Sequence, residues 1–372
     1  MKSGFFLRAV RNGLFAFCLA GAVVPRHAQA EQQDRLVIFD DDGFALAQWM
    51  VLKAPHVKVL GFATVSGDFW QKEATAYALR GVEIANRPDV PVVAGATYPL
   101  LNTEKRTERW ESLYGKLVWK GAWMKQWVEK TNQPLPPYHA ANSVPDLPWG
   151  NPKTKAAPET AVSFMLRMVH QYPGQVSIIE CGPMTNLALA QKLDPEFASL
   201  AKELVYMGGS LNPQQKLNTP AAAQFAREFG NSPRREFNIR FDPEAASIVM
   251  HAPWKKIVMV PADPSTETEM SEAFVKDITQ SDTPVARIMR KSANNFPLWD
   301  EIAAAVWLDP SLIRTSTDVY VDVNKAFDAQ YGDILSWSEG YQPRLDEQKE
   351  HVVLRVDVPR MKALIKDLIA RP

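Results

Sequence analysis

A mostly parallel, open α/β sheet flanked by helices, in one domain, is the fold this sequence predicts. Short apolar runs of strand length alternate with longer helical patterns from Arg35 onward, the order of parallel strands joined by helical crossovers. The polar residues able to do chemistry gather just beyond the ends of those runs, where open α/β sheets bind ligands. No linker divides the 372 residues, so one large core is favoured over two.

The N-terminus stands apart from that pattern. Lys2, Arg8 and Arg11 precede an apolar stretch from Gly13 to Val24, and Ala28-Gln29-Ala30 supplies a small-x-small cleavage site. This is the layout of a secretory signal peptide over residues 1–30, leaving a domain over 31–372 and a periplasmic or secreted location. The apolar stretch is shorter than the about 20 residues of a membrane span, so no membrane anchor is expected after cleavage. Phe17 is too bulky before Cys18 for a lipoprotein signal. Cleavage leaves 38 basic against 42 acidic residues, a net charge of −4, which argues against nucleic acid as a partner. Only Cys181 of the two cysteines remains, excluding an internal disulfide and a cysteine-built metal site.

Along the mature chain, Arg35–Phe39 reads as a strand, Phe44–Lys53 as a helix and Val57–Val65 as a strand. A helix over Lys72–Ile84 and a strand over Pro91–Ala94 continue the alternation. Residues 102–151 interrupt it. They are rich in Trp, Lys and Pro with weak periodicity, and read as an insertion packed on the sheet edge or over the site as a lid, with a surface excursion that has no role in substrate binding as the alternative. Order resumes with a helix over Glu159–Gln171, a strand over Val176–Glu180, a helix over Thr185–Lys192 and a strand over Leu204–Met207 leading into Gly208-Gly209. Strands follow from Val319, and Arg360–Ala370 is a last helix.

Asp40-Asp41-Asp42-Gly43 sits where the first strand ends. Three adjacent, solvated carboxylates repel each other and have no packing role, whereas a hard cation such as Ca²⁺ or Mg²⁺ resolves the repulsion with oxygen ligands. An acidic turn capping the next helix is the plainer alternative. Asp68 ends the second strand and should lie nearby. Cys181-Gly182-Pro183-Met184-Thr185-Asn186 joins a strand to a helix, with carbonyls able to face a metal. Alternation over Glu236-Phe237-Asn238 places an acid and an amide on one face of an extended segment, a good pair for sugar hydroxyls, with Asn231 just upstream. Trp299-Asp300 precedes an apolar helix over Ile302–Trp307, which Asp300 could simply cap.

Taken together, VLGFATVSGD, VPVVAGA, ECGPMTNLALA, VYMGG, Gly230-Asn231, EFNIRFDPEAA and LWDEIAAA followed by LDPSLI resemble the inosine-uridine type nucleoside hydrolases from about Leu36 to Ile313. The resemblance implies a nucleoside-hydrolase-like, Rossmann-like core, a small-molecule nucleoside as partner and Ca²⁺ as cofactor. It implies that Asp42, with Asp40, activates water, and that Asp42, Asp41, the Cys181 carbonyl and Asp300 hold the metal. Asn231, Glu236 and Asn238 then grip the ribose, Asp68 is the polar residue near the ribose and base, and Trp299 stacks on the base, a purine-leaning feature. Trp70, Trp110 and Trp119 are candidates for the opposite wall.

Two departures stand out. The family's opening motif is D-x-D-x-G-x-D-D, whereas Asp40-Asp41-Asp42 here runs straight into Gly43-Phe44-Ala45, so the second aspartate pair has no counterpart. Many members carry a histidine where Trp299 stands. The shortened motif leaves open a catalytically impaired, exported nucleoside- or sugar-binding protein. VIFDDDG also mimics the strand-D-x-D-G opening of haloacid-dehalogenase-like phosphatases, although EFNIRFDPEAA then goes unexplained. The preferred base and any homo-oligomer stay open.

Overall fold

The computed structural model describes residues 34–131 and 133–372, so the signal-peptide expectation lies outside the described residues. Nine strands form one sheet: β1 (Arg35–Asp41), β2 (Val57–Thr64), β3 (Val92–Ala94), β4 (Val176–Glu180), β5 (Glu203–Met207), β6 (Ile257–Val260), β7 (Ile313–Val323), β8 (Ile334–Trp337) and β9 (Lys349–Val356). Their spatial order is β3-β2-β1-β4-β5-β6-β9-β7-β8. Every neighbouring pair is parallel except the two that β7 makes, with β9 and with β8. The mostly parallel sheet expected from the apolar runs is therefore present.

The chain winds outward from β1 to β3, then returns to the other side of β1 as β4. Parallel strands on either side of such a reversal leave a crevice at their carboxyl ends. Helices cover both faces, so the central strands are buried on both sides and read as continuous apolar runs. Along β1, Val37 and Phe39 enter one core and Ile38 the other, the two-residue period of a strand. The first core holds the helices Leu46–Lys53, Asp300–Leu308 and Val358–Ala370; the second holds Ala161–Gln171, Thr185–Leu193 and Pro243–Met250. Each fully buried Val, Ile or Phe contributes roughly 1.5–3 kcal/mol. That helps these strands tolerate charged residues at their ends.

Several local expectations change. β1 does not stop at Phe39 but takes in Asp40 and Asp41, and all three aspartates are buried rather than solvated. Glu236-Phe237-Asn238 is not extended: Glu236 caps the short helix Phe237–Phe241. The segment 102–151 carries the helix Glu104–Tyr114, capped by the Thr103 side chain, and a short 3₁₀ turn at Gly121–Trp123. Between 210 and 299 the structure adds β6 and the helices Pro220–Asn231 and Pro243–Met250, which the apolar pattern had not resolved.

Candidate active site

Pairing of β1 with β4 sets Asp40 beside Glu180, so two buried carboxyls meet inside the sheet. Asn186 donates its Nδ2 to both Asp40 oxygens at 3.0 Å. Glu180 Oε1 accepts the Gly182 N–H at 2.9 Å, while its Oε2 is buried without a donor. Burial, reinforced by the charge of Asp40, holds Glu180 well above the ordinary carboxyl range. Burial also raises Asp40 to about 7, opposed by the bonds from Asn186 and Glu180. A proton held between the two carboxyls supplies Glu180 Oε2 with the partner it otherwise lacks.

Asp41 and Asp42 follow at the mouth of the crevice. Asp41 Oδ1 accepts the Asp42 N–H at 2.7 Å, and its Oδ2 accepts the Gln48 amide. Gln48 Oε1 accepts the Ala45 N–H at 2.7 Å, so this glutamine bridges the shortened loop. Asp42 Oδ2 accepts the Asp68 N–H at 2.6 Å, joining the end of β1 to the turn after β2. Asp300 opens its helix, and among the described residues no hydrogen bond reaches its carboxylate. Burial raises Asp41 to about 7 and Asp68 to about 6. Asp42 and Asp300 are held well above the usual range by burial, then by the carboxylates around them. The cause is common to all: negative groups crowded into a water-poor crevice. Among the described residues, no Lys, Arg or His makes a hydrogen bond or ion pair with any of them.

Glu236 and Asn238 tie the next strand ends together. Glu236 accepts the N–H groups of Asn238 and Gly209, each at 2.8 Å, and of Ile239 at 3.2 Å. Burial raises it to about 7 against those three donors. Asn238 donates Nδ2 to the carbonyls of Cys181 at 2.9 Å and Met207 at 3.2 Å. A carboxylate has about four acceptor sites, so Glu236 keeps about one, and Asn238 keeps its Oδ1, for hydroxyl groups. Asn231 is the last residue of the helix Pro220–Asn231, and its side chain lies outside the described residues.

Above this acidic floor lies a run of half-buried aromatic rings. Trp119, from the insertion, donates Nε1 to Asp68 Oδ1 at 2.5 Å. Its ring lies 5.3 Å from that of Trp127, and Trp127 meets Phe225 edge-on at 6.4 Å. Phe225 meets Trp299 edge-on at 5.4 Å, next to Asp300. The insertion is fixed to the floor by Ala122 N–H, which donates to the Gly67 carbonyl at 2.8 Å. Gly121, at φ +55°, lets its backbone lie against that carbonyl where a Cβ would collide. These contacts attach the 102–151 segment to the turn after β2. Trp70 and Trp110 are buried elsewhere, their indoles on the carbonyls of His139 and Asp328. A cavity of about 530 Å³ lined by Lys130, Gln133, Pro220 and Asn295 includes none of the carboxylates, so we place the site at the acidic floor.

Comparison with known proteins decides the family. The model of the inosine-uridine preferring nucleoside hydrolases matches residues 37–363. The chain belongs to this family. It is 34% identical to a probable uridine nucleosidase of rice over 58% of this chain, spanning 55% of the plant protein. It is 24% identical to the inosine-uridine preferring nucleoside hydrolase of Leishmania major over 91% of this chain and 98% of that enzyme. A solved plant nucleoside hydrolase superposes with a TM-score of 0.66, covering 91% of this chain and 99% of the other at 23% identity, which supports the fold.

Nucleoside hydrolases are metal-dependent. The carboxylates of the crevice offer oxygen donors, which suit a hard divalent ion. Among the described residues no hydrogen bond reaches the Asp300 carboxylate, and Asp42 accepts the Asp68 N–H through Oδ2. Asp41 accepts from Gln48 and from the Asp42 N–H, one on each oxygen, and keeps about two of its four acceptor sites. The Cys181 carbonyl accepts from Asn238 and keeps one lone pair. No three Asp, Glu, His or Cys side chains among the described residues draw together around one point. The donors fit by chemistry, with Asp42, Asp41, Asp300 and the Cys181 carbonyl the groups that would hold an ion. Glu180, Asn186, Gln48 and Trp119 complete the site. Sequence pattern singled out none of the first three and offered Trp119 only as one of three tryptophans.

Proposed function

We propose that the crevice hydrolyses the N-glycosidic bond of ribonucleosides, and one observation carries this reading. A floor rich in carboxylates, with no cationic side chain among their partners in the described residues, is matched to a ribosyl centre that becomes positive as the bond breaks. Asn238 Oδ1 and the spare Glu236 acceptor site take ribose hydroxyls, and the aromatic run above accepts a flat base, with Trp299 favouring purines. Asp42, buried beside Asp68 and Asp300, takes the proton from the attacking water. A bound Ca²⁺, held by Asp42, Asp41 and Asp300 with the Cys181 carbonyl, would acidify that water and anchor hydroxyls. Asp40, gripped by Asn186 and Glu180, holds the end of β1 in place.

Release of free base from a nucleoside panel, with calcium and then with chelator, tests this. Calcium-dependent turnover is expected, lost at least about 100-fold on chelation. Calorimetric nucleoside binding without product, in the presence of calcium, would instead leave a binding protein. We also propose that residues 1–30 direct export. Intact-mass measurement of the processed protein should find a chain starting at Glu31, and an unprocessed Met1 chain in the exported fraction refutes it.

A further inference from the structure

We propose that Gln48 is a positioning residue for the reaction: its side-chain amide sets the Asp41 carboxylate as an ion ligand and, through Asp41, places the Asp42 base. The inference rests on the hydrolase reading above. Every residue from Leu46 to Leu52 of the helix Leu46–Lys53 is buried, and Gln48 is the one polar side chain among them. A buried amide costs stability unless both its ends are paired, whereas an apolar residue would fill the position without that requirement. Both ends are paired. Oε1 accepts the Ala45 N–H at 2.7 Å, and Nε2 donates to Asp41 Oδ2. The partners fix which end is which, since a backbone N–H needs the amide oxygen and a carboxylate needs the amide nitrogen.

The shortened loop has an anchor of its own. Phe44 is buried, its ring edge-on to Trp49 at 5.6 Å and to Phe62 at 5.2 Å. What Gln48 alone supplies among the described residues is a side-chain donor to Asp41. The other bond to that carboxylate is the backbone N–H of Asp42, at 2.7 Å on Oδ1. The contacts therefore run from Gln48 through Asp41 to the Asp42 backbone, and the Asp68 N–H holds Asp42 Oδ2 at 2.6 Å. A neutral amide suits this place. It orients one carboxylate without adding to the crowded negative charge, and without the cation of a lysine or arginine that would compete with a metal ion.

Two variants separate this role from capping of the helix. Gln48→Met keeps the length and removes both polar ends. Gln48→Glu keeps an oxygen for the Ala45 N–H, and a glutamate in the first turn favours both the cap and the helix dipole. It nevertheless turns an oxygen toward Asp41 where the donor stood. Steady-state kinetics on inosine with calcium should show kcat lowered about 10–100-fold in both variants. KM should stay within about threefold, because the groups proposed for ribose and base lie on other elements. Titration calorimetry with Ca²⁺ alone should show at least about tenfold weaker binding to Gln48→Met than to the parent. Parent-like kcat in Gln48→Glu would show that Gln48 serves the loop alone and overturns the proposal, as does unchanged Ca²⁺ affinity in Gln48→Met. Should Gln48→Met not fold, Gln48→Glu, which keeps the cap, still decides through kcat. A parent protein that releases no base removes the hydrolase reading and this role with it, whereas an active parent with equally active variants removes the role of Gln48 alone.

Discussion

Asp42→Ala is expected to lower kcat by about 10³-fold, within the range assigned to a positioned general base, while raising the thermal midpoint of the metal-free protein. The two effects share a cause. Asp42 is held well above its ordinary value of 3.8 by burial and then by Asp68 and Asp41, and Asp40 and Asp41 are raised to about 7. The folded chain therefore binds more protons than the unfolded chain across that interval. The stability that these groups contribute is fully present below pH 3.8 and is lost as pH rises toward 7. Deleting one of these groups flattens the loss, so Asp42→Ala should gain a few degrees at pH 7 and little at pH 4. Calcium should stabilise the parent protein at pH 7 and the variant less. Scanning calorimetry at two pH values, with steady-state kinetics, reads all of this. Turnover within tenfold of the parent removes Asp42 from the chemistry. A lower midpoint would mean that its bond from the Asp68 N–H matters more to the fold than relief of charge.

Trading stability for a charged crevice also explains which parts of the molecule were legible in the sequence. VSIIE and VVA are buried on both faces, so an apolar run was enough to mark β4 and β3. β1 was cut short at Phe39 because an apolar pattern has no means of counting Asp40 and Asp41 as strand. They belong to it only through pairing with Ala63, Thr64 and Glu180. The same pairing hid Glu180, which in sequence is an acid at a strand end and acquires meaning only opposite Asp40. Glu236-Phe237-Asn238 was read as extended because three residues cannot separate a two-residue period from a helix cap followed by its first turn. The motif-level resemblance placed Asp68, Glu236, Asn238 and Asp300 in one region, and the fold brings them to one crevice. It could not show Gln48 holding Asp41, because that contact belongs to the shortened loop of this chain.

Gly67→Ala is expected to cost kcat/KM about 100-fold, the scale on which about 1 Å of misplacement at a reacting group acts. Gly67 does not require a left-handed backbone, so alanine meets no conformational penalty there. What it meets is matter: a Cβ would collide with the Asp42 carboxylate and stand 2.7 Å from Pro183 Cδ. The floor of the crevice is therefore closed by the bare backbone of Gly67, whose carbonyl also receives the insertion through Ala122. Crowding at that point pushes Asp42 away from Asp68 and shifts Trp119 with the insertion, with roughly 1–3 kcal/mol lost to overpacking. Gly43→Ala is the internal comparison. Its Cβ would lie 3.6 Å from the Phe69 ring, an ordinary contact, so kcat/KM should change by less than about threefold. The two glycines flank the same carboxylate in space, and only one has room for a methyl group. Equal kinetics for the two variants would show that the turn after β2 relaxes without moving Asp42, and that the close approach of Gly67 does not position the base.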